Sequence, residues 1–465
     1  MVEESHPFYD DLAALVAHQA EIIRDQREII SRQTMALAQF ELRVSELEAE
    51  VAQLRKGGGS TPGGSLPPFV KPNKPAAERK PRKARDHGNA RRIEAPTRVV
   101  KHTVERCPDC NRALNGGWVH RSRQIIEIPV VSYEVIEHQF FRRHCGVCGK
   151  DHIASPDLSS EAVGQHRLGV RLMALIVHLK KVGRMTVSGI QRLLLSLFGL
   201  RLAEGTVSEV LHAVARHGAP CYEELHTCIR ESNAVHADET SWREDGRNHW
   251  MWVFSTQNAR LFVEDKSRGH HVPKQVLGET FNGVLSSDFY AGYTFYLGEH
   301  QRCWVHFLRD LKQLREKYPH DIALRRWVKK IHKIWKSATE FSSEDRKTRV
   351  RARSRFQKLL VALAEPFAGA NGADAVQRTL AQRVMRFVNE MFTFVEHPEV
   401  PSDNNPAERA IRPVVIYRKV TGGSRSEQGS TTTAVLMSLL STWQLRNLDP
   451  MHTCVRMLQS ATPQL

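Results

Sequence analysis

Three acidic side chains, far apart along the 465-residue chain, have the types and surroundings of metal-binding groups. Asp238 lies within the apolar, strand-like segment AVHADETSW, and Asp288 ends a second such segment, GVLSSD, where a carboxylate is costly unless it has a role. Glu408 lies among arginines in the C-terminal stretch DNNPAERAIRP. Sites built from carboxylate oxygens suit Mg2+ or Mn2+, which also bind phosphate oxygens. The three residues therefore form a candidate divalent-cation site.

Glu408 also has a purely structural interpretation. Asn405 is a good helix N-cap, Pro406 suits the first helical position, and Glu408 would then be the third helical residue. In that position Glu408 could close a capping box or pair with Arg412 four residues later. Pro413 is expected to end or kink this helix.

Other residues near these segments could compete for the acidic roles. Glu239 is expected to point to the opposite face of the strand from Asp238, and Asp403 resembles a turn residue. Cys303 and His306 form a lone CxxH pair. The pair could contribute to a zinc site, but no second pair of ligands is evident nearby. The favoured interpretation places Cys303 in the core and makes His306 a structural or DNA-facing group.

The segment from 233 to 319 predicts the elements that would hold the first two acids. Three strands are predicted: AVHADETSW, HWMWVFST and ARLFVED. A hairpin turn at Asp245-Gly246 joins the first two. A helix over 273–278 precedes a fourth strand that ends at Asp288, and HQRCWVHF predicts a fifth strand before a helix over 308–317. This order is typical of an α/β, RNase H-like fold, in which acids from the first and fourth strands lie side by side and a later helix supplies a third.

Two CxxC pairs indicate a metal site of a different kind. Strand-like residues, RQIIEIPVVSYEVIEHQFF, separate the pairs, as in a zinc ribbon. A closed site of four thiolates suits a structural Zn2+. The module could position DNA through flanking arginines or be a purely structural clip. The four predicted ligands are Cys107, Cys110, Cys145 and Cys148.

Residues 160–232 are predicted to be helical. TVSGIQRLLLSL, which ends at Gly199, and the capping box Thr206–Glu209 predict two short helices in a helix-turn-helix-like arrangement. The second helix would direct Ser208, His212 and Arg216 outward. An ordinary packed helix pair is an equally good interpretation of the same pattern.

The N-terminal part of the chain predicts self-association and DNA binding. Apolar residues and three glutamines recur every 3.5 residues over six heptads within 8–55, which is typical of a coiled coil. The linker 56–105 carries much of the net charge of +16, which favours a nucleic-acid partner. Its basic residues could follow DNA phosphates or form a solvated tether. The candidate DNA contacts are Lys80, Arg82, Lys83, Arg85, Arg91 and Arg92.

Several motifs together resemble the transposases of insertion sequence family 66: HADETSW, SDFYAGY, CWVHFLRDL and DNNPAERAIRP followed by Arg418-Lys419. The order of coiled coil, CxxC pairs, helical module and catalytic segment is similar too. After Lys419 the chain departs from the family pattern and reads VTGGSRSEQG. The resemblance implies a DDE-type transposase in which Asp238, Asp288 and Glu408 are the catalytic acids.

The resemblance also implies a chemistry. Two divalent ions about 4 Å apart can clamp the attacking and leaving oxygens of a displacement at phosphorus. Water would cleave DNA at the element end to expose a 3′-hydroxyl, which the same site would join to target DNA. Asp238 is expected to bridge the ions, with Asp288 and Glu408 each holding one. The residues expected to hold phosphates are Arg409, Arg412, Arg418 and Lys419.

The predicted partners are DNA, further copies of the chain through the coiled coil and, where the element encodes them, small companion proteins. With no secretory segment and no apolar run long enough to cross a bilayer, the sequence favours a cytoplasmic, nucleoid-associated bacterial protein. Two alternatives stay open: an inactive or domesticated DNA-binding regulator, and an RNase H-like nuclease acting on RNA–DNA hybrids.

These patterns divide the chain into segments. The prediction comprises a coiled coil (8–55), a basic linker (56–105), a zinc module (106–155), a helical module (160–232), the first part of the catalytic domain (233–319), a helical insertion (320–400), the last part of the catalytic domain (401–446) and a C-terminal helix or tail (447–465).

Overall fold

The computed structural model describes residues 94–369 and 375–465, together with single residues and short stretches between 16 and 44. The described residues between 16 and 44 are helical and exposed, in agreement with the predicted N-terminal helix. Their pairing in a coiled coil stays a prediction. The six basic residues predicted between 80 and 92 lie outside the described residues. The chain divides into two units, residues 1–125 and 126–465.

Each CxxC pair lies in a tight turn of its own unit. An isolated bridge between Arg106 and Ala113 closes the first turn, and the antiparallel strands β1 (Arg142–His144) and β2 (Asp151–Ile153) flank the second. The strands predicted over 123–141 are wrong, because these residues form neither strand nor helix. Pro129 removes a backbone donor from the middle of the segment, and an apolar, alternating pattern alone supplies no neighbouring strand.

Four helices follow: α1 (Val170–Lys181), α2 (Val187–Phe198), α3 (Glu204–His217) and α4 (Ala219–Arg230). The predicted ends of α2 are confirmed, since Thr186 caps its start and Gly199 ends it in the left-handed conformation with φ 71°. The predicted capping box at Thr206 is wrong, because α3 already begins at Glu204. The side chain of Gln191 donates to the Leu202 carbonyl at 2.7 Å and fixes the turn just before that start.

A five-stranded mixed sheet follows the helices, with the strand order β5-β4-β3-β6-β7. Strands β3, β4 and β5 are antiparallel, whereas β6 runs parallel to β3 and β7 runs parallel to β6. The predicted hairpin is confirmed, with positive φ angles of 45° at Asp245 and 75° at Gly246. The strands are β3 (Ala234–Glu244), β4 (Arg247–Ser255), β5 (Arg260–Asp265), β6 (Val284–Ser287) and β7 (His300–Arg302), with α5 (His271–Leu277) before β6.

The helix after β7 begins earlier than predicted. It starts at Trp304 rather than Leu308, because the buried Trp304, Phe307 and Leu311 recur at helical spacing and draw the chain out of the sheet. This helix shares one apolar core with the four helices that follow it, which fill most of the predicted insertion. The five helices are α6 (Trp304–Lys317), α7 (Ile322–Thr339), α8 (Arg346–Ala368), α9 (Arg378–Met391) and α10 (Thr393–Glu396).

Three helices complete the chain: α11 (Asn405–Thr421), α12 (Glu427–Leu445) and α13 (Pro450–Gln459). Helices α11 and α12 cover the sheet, whereas α13 packs against α1 and α12. One face of the sheet packs against the α1–α4 helices, and the other packs against α11 through Trp242, Met251 and Val253. Pro413 does not end α11 as predicted, since the helix continues to Thr421. Buried contacts on both sides of the proline, at Ala410 and Val414, compensate for the missing backbone donor. None of the described helices is long and apolar enough to cross a bilayer.

Candidate active site

Strands β3 and β6 bring the two predicted aspartates together at one part of the sheet. The parallel register pairs Ala234 with Val284 and His236 with Ser286. Two residues further along, the same register brings Asp288, directly after β6, level with Asp238. Adjacent strands lie about 4.8 Å apart, so the two carboxylates are neighbours. The side-by-side arrangement expected from the strand order is therefore present.

Asp288 is held in place by its own turn and by a buried arginine. Its carboxylate accepts a hydrogen bond from the Tyr290 N–H at 2.8 Å. Its backbone carbonyl accepts one from the Arg302 guanidinium at 2.8 Å. Arg302 is fully buried and is itself fixed by Glu390 on α9, with Nε 2.6 Å from the carboxylate. No hydrogen bond to the second carboxylate oxygen, Oδ2 of Asp288, is found among the described residues.

Glu408 lies in the first turn of α11, as predicted, but its side chain does not close a capping box. The helix N-cap is Asn404, one residue earlier than expected. Glu408 faces His306 in the first turn of α6, and Oε1 lies 3.7 Å from Nδ1 of the histidine. Both atoms are buried and have no hydrogen-bond partner among the described residues. Unpaired buried polar atoms are rare and commonly mark a site that a ligand, ion or water completes.

The electrostatics of Asp238 connect all three acids. Burial, the largest cause, and the negative charges of Glu239, Asp288 and Glu408 together raise the pKa of Asp238 to about 7, although the Glu239 N–H opposes the rise. Asp288 and Glu408 are therefore both close enough to Asp238 for their charges to act on it. This arrangement favours a cation, because a positive charge would stabilise the carboxylate forms that burial and mutual repulsion disfavour.

Two three-residue sets among the described residues place candidate ligand atoms within 4.8 Å of one another, and the acid trio is not one of them. One set comprises Cys303, His306 and Glu408. A site for two ions does not require all three carboxylates to lie that close together. Ions about 4 Å apart, each with oxygen ligands at about 2 Å, place the flanking carboxylates up to about 8 Å from each other.

Cys303 belongs to the core, in agreement with the favoured interpretation of the CxxH pair. It is fully buried, and burial raises the pKa of its thiol to about 11, so the thiol stays protonated at neutral pH. Its sulfur accepts a hydrogen bond from the Asn404 N–H at 3.2 Å. His306, in contrast, faces the acid site through Glu408. Sequence reasoning missed this pairing, although the CxxH spacing was a visible signal.

Asn404 is a positioning residue that the sequence did not reveal. Its buried side chain donates to the Ala237 carbonyl at 2.7 Å, and its Oδ1 lies 3.3 Å from Nδ1 of His236. Burial lowers the pKa of His236 to about 4, so the ring is neutral and can donate to Asn404. These bonds attach the start of α11 to β3 beside Asp238, and thereby place Glu408.

The competing carboxylates have other partners. Glu239 accepts hydrogen bonds from Arg268 at 2.6 Å and from the Tyr293 hydroxyl at 2.5 Å, on the opposite face of the sheet from Asp238, as predicted. Asp245 lies in the hairpin turn. Asp403 accepts from the Asn405 N–H at 2.9 Å, which confirms its turn role.

The basic residues of α11 divide into two groups. Arg409, Arg412 and Lys419 are exposed. Arg418 instead donates through Nη1 to the Thr240 hydroxyl at 3.1 Å and also contacts Ser241, so it ties α11 to β3. Its predicted contact with a DNA phosphate stays a prediction.

The outward face predicted for α3 is partly covered by α12. His212 Nδ1 lies 2.7 Å from the Thr432 hydroxyl, and burial lowers the pKa of its ring. Arg216 donates to Glu209 of the same helix at 2.7 Å. The structure therefore favours the packed helix pair over a base-reading helix.

Both CxxC turns have the same backbone geometry. In each, the first cysteine donates its N–H to the carbonyl five residues later and accepts from the N–H four residues later, all at 2.9 Å. In both turns the residue four positions after the first cysteine has a positive φ, 58° at Asn111 and 64° at Gly149. Backbone N–H groups of the turn lower the pKa of Cys107 and likewise that of Cys145. Each turn favours a thiolate, and their union in one zinc site stays a prediction.

A second acidic cluster lies on the same face of β3 as Asp238. It comprises Glu244, His249 and Glu264, and it is the other three-residue set within 4.8 Å. His249 Nδ1 lies 2.5 Å from Glu264, and Glu244 accepts from the Ser430 hydroxyl at 2.5 Å. The sequence analysis did not identify this cluster, because its members come from three different strands.

Comparison with known proteins agrees with this arrangement. Residues 165–432, more than half of the chain, match the family model described as Transposase IS66 family. Three proteins of Sinorhizobium fredii are similar and are named only as uncharacterized: y4jO (27% identity over 43% of this chain), y4qI (23% over 48%) and y4jD (24% over 54%). The matches cover 59%, 47% and 55% of those proteins, so the chain spans about half the length of these relatives. The extent of the family match, which includes all three acids, shows that the chain belongs to the IS66 family of transposases.

Proposed function

We propose that this protein is a DDE-type transposase that cleaves DNA at the ends of its insertion sequence and joins those ends to target DNA. One observation carries the proposal: the β3–β6 register brings Asp288 level with Asp238, and the charges of Asp288 and Glu408 both act on Asp238. The order and directions of the five strands support an RNase H-like catalytic domain.

The residues of the site fit divalent cations. Asp238, Asp288 and Glu408 would hold Mg2+ or Mn2+, because they supply hard carboxylate oxygens and because Glu408 presents a buried oxygen without a partner. Such ions would stabilise the negative charge that develops at phosphorus. His306 faces Glu408 and is close enough to act as a further ligand.

The chain's own residues have distinct tasks in this reaction. Asp238 must lose its proton to act as a carboxylate, which its pKa of about 7 permits near neutral pH. Arg409 and Arg412, exposed on the same helix as Glu408, would hold the phosphates beside the scissile bond. Asn404 and Arg418 keep that helix against β3.

Cleavage and joining then differ only in the attacking oxygen. In cleavage, a water oxygen attacks phosphorus and the P–O3′ bond breaks, which leaves a 3′-hydroxyl at the element end and a 5′-phosphate on the flanking DNA. In joining, that 3′-hydroxyl attacks a target phosphate and displaces the target's own 3′-oxygen. Each step exchanges one phosphodiester oxygen for another, and neither needs an oxidant or reductant.

The remaining parts of the chain have supporting roles in this proposal. The four cysteines of the two CxxC turns would bind a structural Zn2+, which the lowered pKa of Cys107 and of Cys145 favours. The N-terminal helix would pair with further copies and bracket two DNA ends in one assembly. The basic linker would add affinity for DNA phosphates, and companion proteins of the element could join the same assembly.

The decisive experiment uses a plasmid that carries the gene with its flanking DNA, incubated with purified protein and Mg2+ or Mn2+. We expect strand cleavage at the element ends, which chelation with EDTA abolishes. Asp238→Asn and Glu408→Gln should lower cleavage by more than about 100-fold, which exceeds the usual effect of residues that only support a metal site. Both variants should still bind the DNA.

Glu264→Gln is the matched control, because it removes a buried carboxylate on the same sheet face that has its own partner. It should cleave at nearly the wild-type rate. An RNA–DNA hybrid serves as a second substrate. Normal cleavage by both site variants, or cleavage of the hybrid in preference to the element ends, would overturn the proposal.

A further inference from the structure

A basic groove lies between α6 and α7. Helix α6 carries His306, which faces Glu408, in its first turn, and Val305, just before His306, is the first residue that lines the groove. The groove between the two helices has a volume of about 340 Å³. Its apolar floor is formed by Val305, Leu308 and Val328. Its remaining lining is entirely basic and consists of Arg309, Lys312, Arg315 and His332.

The cations on α6 form one continuous stripe. Positions 305, 308, 309, 312 and 315 recur every three or four residues, which places them on one face of the helix. Arg309, Lys312 and Arg315 are exposed. Asp310, one of the two acidic residues of α6, is directed to Arg383 on α9 and so does not neutralise the stripe.

Few partners within the protein compete for these cations. Lys312 has a weak, exposed pair with Glu316 of the same helix at 3.7 Å. Arg309 and Arg315 have no ion pair or side-chain hydrogen bond within the described part of the chain. On the other wall, His332 Nδ1 bonds the Val328 carbonyl, so its Nε2 is directed away from the helix backbone. Lys329 and Lys336 follow the same side of α7 and are exposed.

An exposed basic helix often has no other role than to keep a surface solvated. Three features distinguish this groove: its cations come from both helices, part of its lining is apolar, and that lining begins at Val305, next in sequence to His306. The cations from Arg309 to Arg315 extend about 9 Å along α6. One DNA strand presents about three phosphates over that length. The number and spacing of the cations thus match a short run of DNA backbone.

We propose that this groove, formed by α6 and α7, binds the DNA backbone next to the phosphate at the acid trio. Arg309, Lys312 and Arg315 contact successive phosphates, His332 contacts the same backbone from the opposite wall, and the apolar floor packs against deoxyribose. The inference rests on the proposed function, since it takes the DNA partner from it and adds the surface that aligns the substrate. Such contacts carry no base specificity.

The test compares two triple variants of the full chain in the Asp238→Asn background, which prevents cleavage during binding. The first is Arg309→Ala/Lys312→Ala/Arg315→Ala. The second, matched in charge, is Lys347→Ala/Arg351→Ala/Lys358→Ala, which removes three exposed cations from one face of α8. Binding to end-containing DNA is measured as a function of salt.

We expect the groove variant to reduce the slope of log affinity against log salt by about 0.9 for each lost phosphate contact, thus by close to three, and to bind at least tenfold more weakly at moderate salt. The control should reduce the slope by less than about 0.9, the change expected for one phosphate contact. Hydroxyl-radical footprinting is the second measurement, and it should show that about three protected sugars beside the cleavage site become exposed only in the groove variant.

The outcomes separate this inference from the proposed function. Equal losses in the two triple variants, or an unchanged footprint, would overturn the groove assignment even if the wild-type protein cleaves DNA. If the wild type fails to cleave but the groove variant alone loses DNA affinity and protection, the groove assignment stands and the proposed reaction fails. Thermal unfolding of both variants verifies that their folds are intact.

Discussion

Two acidic clusters lie on one face of strand β3, and they differ in how their polar atoms are satisfied. Six residues, or about 20 Å of strand, separate Asp238 in one cluster from Glu244 in the other. In the second cluster His249 pairs with Glu264, and Glu244 accepts from Ser430. In the first cluster, the facing atoms of Glu408 and His306 are buried without partners.

The difference shows that burial alone does not identify a functional acid. Burial raises the pKa of Glu264 as it does that of Asp238, yet the Glu264 carboxylate has His249 as a partner, which lowers its pKa again. Asp238 has no cationic side chain opposing its rise, only a backbone N–H. A cluster that the protein satisfies internally holds strands together. A cluster that it leaves unsatisfied is poised to bind something else.

The largest effect expected from the difference between the two clusters is on how the free energy of unfolding of the metal-free protein depends on pH. Asp238 has an ordinary pKa of 3.8 and a folded-state pKa of about 7. Between these values the folded protein keeps a proton that the unfolded chain releases, so the free energy of unfolding falls as pH rises from about 4 to 7 and is then level. The loss is at most about 4 kcal/mol.

Asp238→Asn should remove this slope, whereas Asp403→Asn, a neighbouring change at a turn residue, should keep it. Urea unfolding in EDTA at several pH values between 5 and 8 measures the effect. Mn2+ should restore the stability lost by the wild type near pH 7, because the ion binds the carboxylate form. If the free energy of unfolding of Asp238→Asn depends on pH as steeply as that of the wild type, the pKa of Asp238 is not raised and the cluster is not unsatisfied.

Much of the sheet could be predicted from local sequence alone. Alternating apolar residues and the Asp245-Gly246 turn identify β3 and β4, and carboxylates inside such segments identify Asp238 and Asp288. These signals are local, since strand period and turn type depend on residues close together in the chain. That the first and fourth strands of the catalytic segment are neighbours then followed from the order of the elements.

The details that failed depend on contacts between distant segments. The pairing of Glu408 with His306 spans about a hundred residues, and no local pattern encodes it. Asn404 rather than Asn405 is the N-cap of α11, and its side chain donates to the Ala237 carbonyl of a distant strand. Similarly, the residues over 123–141 have strand-forming composition but no strand to pair with within their described surroundings.

The two histidines provide the next test of the contrast. His306→Ala should lower cleavage by about 10–100-fold with little loss of stability, because the ring faces an unsatisfied site. His249→Ala should leave cleavage nearly unchanged and lower the free energy of unfolding by about 1–3 kcal/mol, because it leaves the buried Glu264 carboxylate unpaired. Cleavage rates and urea unfolding are measured for both variants. The reverse pattern would exchange the roles of the two clusters.

The smallest effect is expected at Cys303, which lies within 4.8 Å of His306 and Glu408 and could therefore be mistaken for a ligand of the site. Its thiol is protonated at neutral pH and accepts the Asn404 N–H, so its role is to position α11. Cys303→Ser keeps a hydrogen-bond acceptor of similar size, and we expect a destabilisation of about 1 kcal/mol from the altered buried contact.

Cleavage by Cys303→Ser should stay within a few-fold of the wild type, and Mn2+ should bind with nearly unchanged affinity in isothermal titration calorimetry. His306→Ala, measured alongside, should bind Mn2+ about 10–100-fold more weakly. Equal weakening in both variants would place the sulfur among the metal ligands. The unsatisfied cluster would then be a mixed sulfur, nitrogen and oxygen site, which favours Zn2+ over Mg2+ at that position.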